Sequence, residues 1–226
     1  MRLRTLLFLT VPLVSLAIAA AVGYTQLAAA AEMSQGPEIT LPAPSLTGGM
    51  SLEEALAKRR SVRSFTEEKL TLDQIGQLAW AAQGITDEHG HRTAPSAMAV
   101  YPLTVYAVVG EGAFRYVPQG HKLARISERD VRALLSTQGS VRTAPLDIVI
   151  AADFALARAR FGERAERFVS IEAGHIAQNV LLQAVALGLG AVPVGGYQED
   201  GVREALGLRA EETPLYVIPV GHPKPR

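Results

Sequence analysis

Apolar residues recur at helical spacing in three parts of the chain. The segments from Ser51 to about Lys58 and from Thr71 to about Gln83 each open with a capping-box pattern, in which a hydroxyl residue is followed three positions later by Glu or Gln. Between Phe168 and Leu189 the chain is apolar almost all round, and Gly188 and Gly190 mark its end. This pattern predicts two shorter helices and one long helix that is buried on most sides.

Runs rich in β-branched residues predict four strands, at Leu103 to Val109, Ala113 to Val117, Leu146 to Ala152 and Leu215 to Val220. A short helix is predicted around Glu128 to Leu135. Strands and helices therefore do not alternate regularly, and the sequence contains no internal repeat. This order is typical of an α+β layered fold rather than a doubly wound one.

The N-terminal segment has the composition of a targeting sequence. Arg2 and Arg4 precede an apolar run from Leu6 to Val22, and the small residues Ala28 to Ala30 follow. A charged start, an apolar stretch and a small-residue end are typical of a secretory signal peptide. The run from Thr5 to Tyr24 is also nearly as long as the ~20 residues that span a bilayer, so an uncleaved membrane anchor is the alternative.

These features divide the chain into three parts. Residues 1–31 form a signal peptide or an N-terminal membrane anchor, and residues 32–50, rich in Pro, Gly, Ser and Thr, form a linker or extended arm. Residues 51–226 form the folded domain. Cleavage predicts an exported protein, periplasmic or extracellular, whereas an uncleaved segment predicts a domain anchored to the membrane.

The overall charge is balanced, with 22 Lys and Arg against 22 Asp and Glu. A nucleic-acid-binding protein needs a basic surface to displace counterions from phosphates, so this balance argues against that class. The chain has no cysteine, which excludes disulfides, thiolate metal sites and cysteine nucleophiles. His89 and His91 share a polar loop with two acidic residues, and we interpret them as exposed loop residues rather than a metal site.

The densest group of candidate binding residues follows the first helix, in the sequence RRSVRSF. Arg59, Arg60 and Arg63 alternate with hydroxyl residues, and each guanidinium presents a planar fork that matches phosphate oxygens. In an extended segment Ser61 and Arg63 lie on the same side, with Arg59 close to them at the helix end. These residues predict an anion site, and the alternative is a solvated basic turn favoured by the helix dipole.

Two later segments add candidate binding residues. The sequence AVPVGGY places Pro193 before the pair Gly195 and Gly196, which lets backbone approach a flat ligand; a tight turn is the alternative. Lys224 and Arg226 follow the last strand, where they either add charge to an anion site or form a solvated tail.

The small-residue loop from Thr93 to Ala97, TAPSA, precedes the first predicted strand and is suited to lie along a planar ring. On the long helix, Glu172 and Gln178 are placed to pair with each other, and His175 is interpreted as a core or interface residue.

In this order, RRSVRSF, TAPSA, GLGAVPVGGY and PVGHP resemble the nitroreductase-like FMN family, over about Leu52 to Arg226. Two further segments, residues 96–102 and 114–121, resemble the branch that contains the SagB/ThcOx-type dehydrogenases, which oxidise azoline rings in modified peptides. The Lys-Tyr pair associated with azoline oxidation in that branch has no match in this chain.

The resemblance implies a central, mostly antiparallel sheet flanked by helices, in an obligate homodimer that holds FMN at its interface. It also implies that Arg59 and Ser61 contact the FMN phosphate and ribityl chain, and that Arg63 meets the pyrimidine edge of the flavin. The backbone of Gly195 and Gly196 then lies against the ring. The implied cofactor-binding residues are Arg59, Arg60, Ser61, Arg63, Pro95, Ser96, Ala97, Pro193, Gly195, Gly196, Lys224 and Arg226, with Pro95 and Ser96 supplied by the other subunit.

The implied function is that of an FMN-dependent oxidoreductase with a ping-pong cycle, in which positioning and flavin electrostatics replace a protein acid or base. Its substrate is a small molecule or a peptide, and its electron partner is NAD(P)H or a quinone. Two alternatives stay open. One is a non-catalytic protein of the same fold that binds or stores FMN, and the other is an interaction module whose basic segment binds an anionic partner.

Overall fold

A computed structural model describes residues 37–225, and the predicted signal peptide or anchor lies outside them. The helices are α1 (Leu52–Lys58), α2 (Leu72–Gln83), α3 (Arg132–Leu135), α4 (Gly139–Thr143), α5 (Phe154–Phe161), α6 (Ala165–Ala186) and α7 (Glu199–Leu206). The strands are β1 (Glu38–Thr40), β2 (Leu103–Val109), β3 (Gly112–Val117), β4 (Lys122–Ser127), β5 (Leu146–Asp153), β6 (Gly190–Ala191) and β7 (Glu212–Gly221). None of the helices in this part of the chain is long and apolar enough to cross a membrane.

The strands form one sheet of seven, in the order β1-β4-β3-β2-β5-β7-β6. Every neighbouring pair runs antiparallel, as where Val105 of β2 lies opposite Ile150 of β5, and Ile148 of β5 lies opposite Ile218 of β7. Helices cover both faces of this sheet. The predicted α+β fold, with a mostly antiparallel sheet flanked by helices, is confirmed.

Side chains of the central strand β5 alternate between two helical layers. Ile148 and Ile150 pack on one face with residues of α2 and α6, whereas Val149 and Ala151 pack on the other with residues of α3, α4 and α7. The continuous apolar run of β5 is therefore explained by burial on both faces. The core has two parts, one on each side of the sheet.

One acidic side chain lies in the second of these layers. Asp147 of β5 has no exposed surface, and neither of its carboxylate oxygens has a hydrogen-bond partner within the described part of the chain. Burial raises the pKa of this carboxyl well above its ordinary value, although the nearby Arg132 opposes that shift. The neutral form is favoured there because an unpaired charge at that depth is costly.

The long helix α6 begins and ends earlier than predicted. Its buried residues share one face, which includes Val169, Ala173 and Ile176, while Ile171 is 48% exposed. The prediction of a helix buried on most sides is wrong for the single chain, because one partly apolar stripe faces outward.

Several elements differ from the sequence prediction, and α4, α5, α7 and β6 were not predicted at all. β1 lies within the segment predicted as a linker or arm, and β4 mixes charged with apolar residues, so neither strand was predicted. The helix predicted around Glu128 to Leu135 is wrong in length, since α3 begins at Arg132. The carboxylate of Asp130 accepts from the Arg132 backbone N–H at 3.1 Å, so a side-chain turn takes the place of the first helical turn.

Candidate functional site

The segment RRSVRSF leaves the end of α1 and runs along the sheet edge formed by β6. Ser61 forms a parallel bridge with Ala191, and the backbone N–H of Val62 donates to the Ala191 carbonyl at 3.0 Å. α1 itself is fixed at its start, where the Ser51 hydroxyl accepts from the Glu54 N–H at 3.1 Å. The arginine segment is thus an extended addition to the sheet.

The chain beyond β7 pairs with the same segment. The backbone N–H of Thr66 donates to the His222 carbonyl at 2.8 Å, and that of Lys224 donates to the Ser64 carbonyl at 3.1 Å. These bonds place Lys224 beside the arginine segment, where a shared anion site requires it. Arg226 lies outside the described residues, so its role stays a prediction.

Two glycines allow these segments to approach each other. A Cβ atom added at Gly190 would lie 2.7 Å from Cβ of Val62. One added at Gly221 would lie 2.7 Å from Cδ of Pro145 and 3.0 Å from Cβ of Phe65. These distances are well inside van der Waals contact, so a larger residue would push the arginine segment away from the sheet.

The cationic side chains of this site differ in what they contact. Arg60 turns its guanidinium back to the end of α1, where Nη1 donates to the carbonyls of Ala57 at 2.9 Å and Arg59 at 2.7 Å. By contrast, within residues 37–225 no hydrogen bond or ion pair engages the side chains of Arg59, Arg63 or Lys224. Three cations on adjoining backbone without an acidic partner in that range favour a ligand of negative charge.

The segment after β6 carries the predicted glycine pair beside β7. Val194 exchanges two backbone hydrogen bonds with Val217, at 2.8 and 3.1 Å. Gly195 and Gly196 follow and are both exposed, and a Cβ atom added at Gly195 would meet nothing within 4 Å. The Gly196 carbonyl accepts from Nε2 of Gln138 at 2.8 Å, which fixes the backbone there. The chain at Gly195 is therefore open to a flat ligand.

Part of the predicted cofactor-binding set thus falls on three adjoining segments: the arginine segment, the continuation of β6 and the tail after β7. The residues on these segments are Arg59, Ser61, Arg63, Pro193, Gly195, Gly196 and Lys224. Arg60 follows the same backbone, but its side chain belongs to the end of α1.

The remaining predicted residues, Pro95, Ser96 and Ala97, belong to a loop that is tied to α6. The Ser96 hydroxyl donates to Oε2 of Glu172 at 2.5 Å and accepts from the backbone N–H of Tyr101 at 2.9 Å. Within one chain these contacts hold the loop at α6, and none of them reaches the arginine segment. That Pro95 and Ser96 reach the site of the other subunit stays a prediction.

The same loop has an unusual backbone. Met98, Ala99 and Tyr101 have φ angles of 52°, 54° and 50°. This left-handed region costs a non-glycine residue about 1–2 kcal/mol. Such conformations persist where the surroundings over-determine them, and they are common at functional sites.

Glu172, which holds this loop, was not singled out as a candidate site residue from the sequence. Its side chain is buried, and its Oε1 accepts from Nε2 of Gln83 at 3.3 Å. Burial raises the pKa of Glu172 to about 6, against the lowering effect of the hydrogen bonds from Ser96 and Gln83 and of the charge on Arg92. Its partners therefore lie on other elements, and the expected pairing with Gln178 of the same helix is wrong. The available signal was an acidic residue on the buried face of an amphipathic helix.

The histidine pair of the polar loop has a local role. Nδ1 of His91 lies 2.6 Å from Oδ2 of Asp87, and both side chains are well exposed. In the described range 37–225, no group of three or more His, Cys, Asp or Glu residues is arranged to hold a metal ion.

Known proteins match the chain across this site. The model of the Nitroreductase family matches residues 56–222, which include the arginine segment, the loop and the glycine pair. A predicted nitroreductase from Methanocaldococcus jannaschii is 41% identical over 182 residues, which are 76% of this chain and 91% of that protein.

Solved structures share the fold. The crystal structure of a predicted nitroreductase from Ralstonia eutropha JMP134 is 34% identical with a TM-score of 0.79, covering 84% of this chain and 90% of that one. A chain of the E. coli microcin synthetase McbBCD complex with truncated pro-MccB17 bound is similar in fold, with a TM-score of 0.67 at 23% identity, covering 88% of this chain and 82% of that one.

Proposed function

The chain belongs to the nitroreductase family, and from this premise we propose that it is an oxidoreductase that uses FMN to pass electron pairs between two substrates. Membership of the family supports the oxidoreductase class. The observation that supports FMN is that Arg59, Arg63 and Lys224 lie on adjoining backbone next to β6, the strand from which the chain continues to the open glycine pair.

The donor set of the chain fits the chemistry of FMN. A phosphate monoester carries a charge of about −1.5 to −2 and accepts hydrogen bonds on three oxygens, which suits guanidinium, ammonium and hydroxyl donors. We assign Arg59, Ser61 and Lys224 to the phosphate. Arg63 supplies a positive charge near the ring, where such a charge tunes the reduction potential. The missing side chain at Gly195 leaves room for a flat ring.

When bound, FMN supplies the two-electron chemistry of the reaction. The residues of the chain bind and orient the cofactor and the substrates, so most of the catalysis comes from positioning and from the charge around the ring. The electron donor and the electron acceptor occupy the same place in turn, which predicts ping-pong kinetics. One of these two substrates is a small molecule or a peptide.

We further propose that a second copy of the chain completes the site. Ile171 of α6 is 48% exposed, and Leu52 and Leu56 of the neighbouring α1 are 62% and 51% exposed. Exposed apolar residues on packed helices are typical of an interface. A dimer would cover the outward stripe of α6 and bring the loop at Ser96 to the other subunit. Light scattering should give the mass of a dimer, and a monomer that binds FMN fully would contradict this arrangement.

The N-terminal segment leads to a proposal on localisation. Its charged start and apolar run support export to the periplasm or extracellular space after cleavage, or a membrane anchor without cleavage. For an exported protein NAD(P)H is less accessible than a quinone as the electron donor. N-terminal sequencing of the protein from fractionated cells tests this, and an intact Met1 in the cytoplasmic fraction would contradict it.

The absorption spectrum of the purified domain from about Glu32 tests the function, followed by anaerobic titration with NADH, NADPH and a reduced quinone. Flavin bands should bleach with one donor and return when a quinone or nitroaromatic acceptor is added. Bands that persist with every donor would favour the FMN-storage alternative. A folded protein that stays colourless after FMN is offered would refute the proposal and favour the interaction module.

Arg59→Ala tests the placement of the phosphate. We expect a loss of about 1.5–3 kcal/mol in FMN binding, because the variant removes a charge-assisted hydrogen bond. Arg129→Ala is the matched control, since Arg129 follows β4 near the opposite edge of the sheet. Equal FMN affinity of the two variants, measured by fluorescence titration, would show that the phosphate lies elsewhere.

A further inference from the structure

A closed ring of polar side chains joins α2, α6 and the loop before β2. Glu172 accepts from Oγ of Ser96 at 2.5 Å and from Nε2 of Gln83 at 3.3 Å. Oε1 of Gln83 accepts from Nη1 of Arg92 at 3.0 Å, and the Arg92 guanidinium lies 4.4 Å from the centre of the Tyr101 ring. The Tyr101 N–H donates back to the Ser96 hydroxyl at 2.9 Å, which closes the ring.

This ring holds the left-handed segment of the loop at both ends. Ser96 and Tyr101 flank Met98 and Ala99, whose φ angles are positive, and the Ser96 hydroxyl contacts the backbone of Tyr101 directly. A hydroxyl has a single proton to donate, and Ser96 donates it to the carboxylate of Glu172. The orientation of Ser96, and with it the closure of the loop, therefore depends on a residue of α6.

The ring needs a carboxylate at this position. A carboxylate accepts a donor on each oxygen, whereas a carboxamide or a protonated carboxyl keeps one accepting oxygen and presents a donor in place of the other. Ser96 and Gln83 are both donors here. A neutral residue would still accept from Gln83 but would donate to the Ser96 hydroxyl, so the Ser96 proton would lose the acceptor that fixes its direction. Among the described residues, Arg92 is the charged group that acts on Glu172, and Tyr101 and Tyr116 in turn face Arg92.

From this geometry we infer that Glu172 is a positioning residue of the flavin site: through Ser96, it holds the loop from Pro95 to Tyr101 in the conformation that lines the flavin of the neighbouring subunit. The inference rests on the proposed function, in which a dimer brings the loop at Ser96 to the flavin site of the other subunit. Glu172 acts through Ser96 and does not touch the flavin.

The test compares FMN affinity and the visible flavin spectrum of the full chain with those of Ser96→Ala, Glu172→Ala and the double variant. Each single variant should bind FMN about tenfold more weakly and shift the flavin absorption, since each removes one charge-assisted hydrogen bond from the loop. The double variant should be no weaker than either single variant, because both changes break the same connection. Glu166→Gln, an exposed acid on the same helix, is the matched control and should match the wild type.

A pH profile separates positioning from a purely structural role. Glu172 has a pKa of about 6, and the FMN phosphate titrates in the same range. The ratio of wild-type to Glu172→Gln affinity cancels the phosphate contribution at each pH. This ratio should be about ten well above the pKa of Glu172 and approach one below it, because protonation leaves the wild-type carboxyl with a single accepting oxygen, like the amide.

The outcomes distinguish the inference from its premise. A wild-type protein that binds no FMN would refute the proposed function. A wild type that binds FMN, with Ser96→Ala and Glu172→Gln equal to it in affinity, spectrum and pH ratio, would overturn the positioning role alone. Should Glu172→Ala fail to fold, the two milder variants decide by the same criteria.

Discussion

Replacing Glu172 by glutamine should make the FMN-free protein more stable at neutral and alkaline pH, even though it weakens flavin binding. Glu172 is buried at 3% exposure on a face of α6 that also carries Ala173 and Ile176. The raised pKa of its carboxyl means that the fold stabilises the neutral form more than the unfolded chain does. Glutamine keeps the shape of that neutral form at every pH.

The magnitude follows from the pKa of Glu172, which burial raises from an ordinary value of 4.5 to about 6. This difference corresponds to about 2 kcal/mol. Because the folded-state pKa is the higher one, the stability that comes from the neutral carboxyl is fully present below the unfolded pKa and is lost as pH rises through the folded pKa. Wild type and Glu172→Gln should therefore be similar in stability below about pH 4.5 and diverge by about 2 kcal/mol above about pH 6.

Urea unfolding of the FMN-free proteins at a series of pH values measures this divergence. Protein concentration is held constant, because the stability of a dimer depends on it. The difference between variant and wild type at each pH cancels the titration of all other carboxylates. Glu166→Gln, exposed on the same helix, should show no such trend.

One result would refute the reasoning: a wild type that is more stable than Glu172→Gln above about pH 6, by a gap that widens as pH rises. It would mean that the hydrogen bonds from Ser96 and Gln83 outweigh the cost of burying the charge. A gap that is constant across the pH range would also contradict the prediction, since it would assign the difference to geometry rather than to ionisation.

Two further variants probe the sheet around the site. Gly190→Ala should lower FMN affinity and cost about 1–3 kcal/mol in stability, because its methyl group would lie 2.7 Å from Cβ of Val62. Gly139→Ala, whose methyl group meets nothing within 4 Å, is the control, and equal FMN affinity of the two variants would contradict the prediction. The wild type should lose stability as pH rises through the raised pKa of Asp147, whereas Asp147→Asn should not. Melting temperatures that change with pH in parallel in the two proteins would contradict this prediction.

Local hydrogen bonding made the first two helices predictable from sequence. The Ser51 hydroxyl caps α1, and at the start of α2 the side chains of Thr71 and Gln74 each accept from the other's backbone N–H, at 3.2 and 2.9 Å. Each of these bonds joins residues three positions apart, so the sequence contains the information that sets them. The bounds of β2 were also correct, because its apolar run is short and ends at glycine and proline.

Elements that depend on distant partners were not predicted. β1 is three residues long and becomes a strand by pairing with β4, where Ile39 lies opposite Leu123. β6 is shorter still and depends on the end of β7, with Ala191 opposite Val220. Strands this short carry too few residues to show a period of two, so only the pairing itself reveals them.

The candidate site likewise has a part that the sequence predicted and a part that it did not. The arginine segment and the glycine pair were visible in the sequence as short runs of candidate binding residues. The structure pairs the arginine segment with β6, from which the chain continues to the glycine pair, although their role in FMN binding stays a prediction. The ring around Glu172 was not visible, because Gln83 and Glu172 are 89 positions apart and each looks ordinary in its own segment. A charged residue on the buried face of a helix must nevertheless find donors or shift its pKa. Glu172 does both, but its partners, Gln83 on α2 and Ser96 in the loop, became apparent only from the structure.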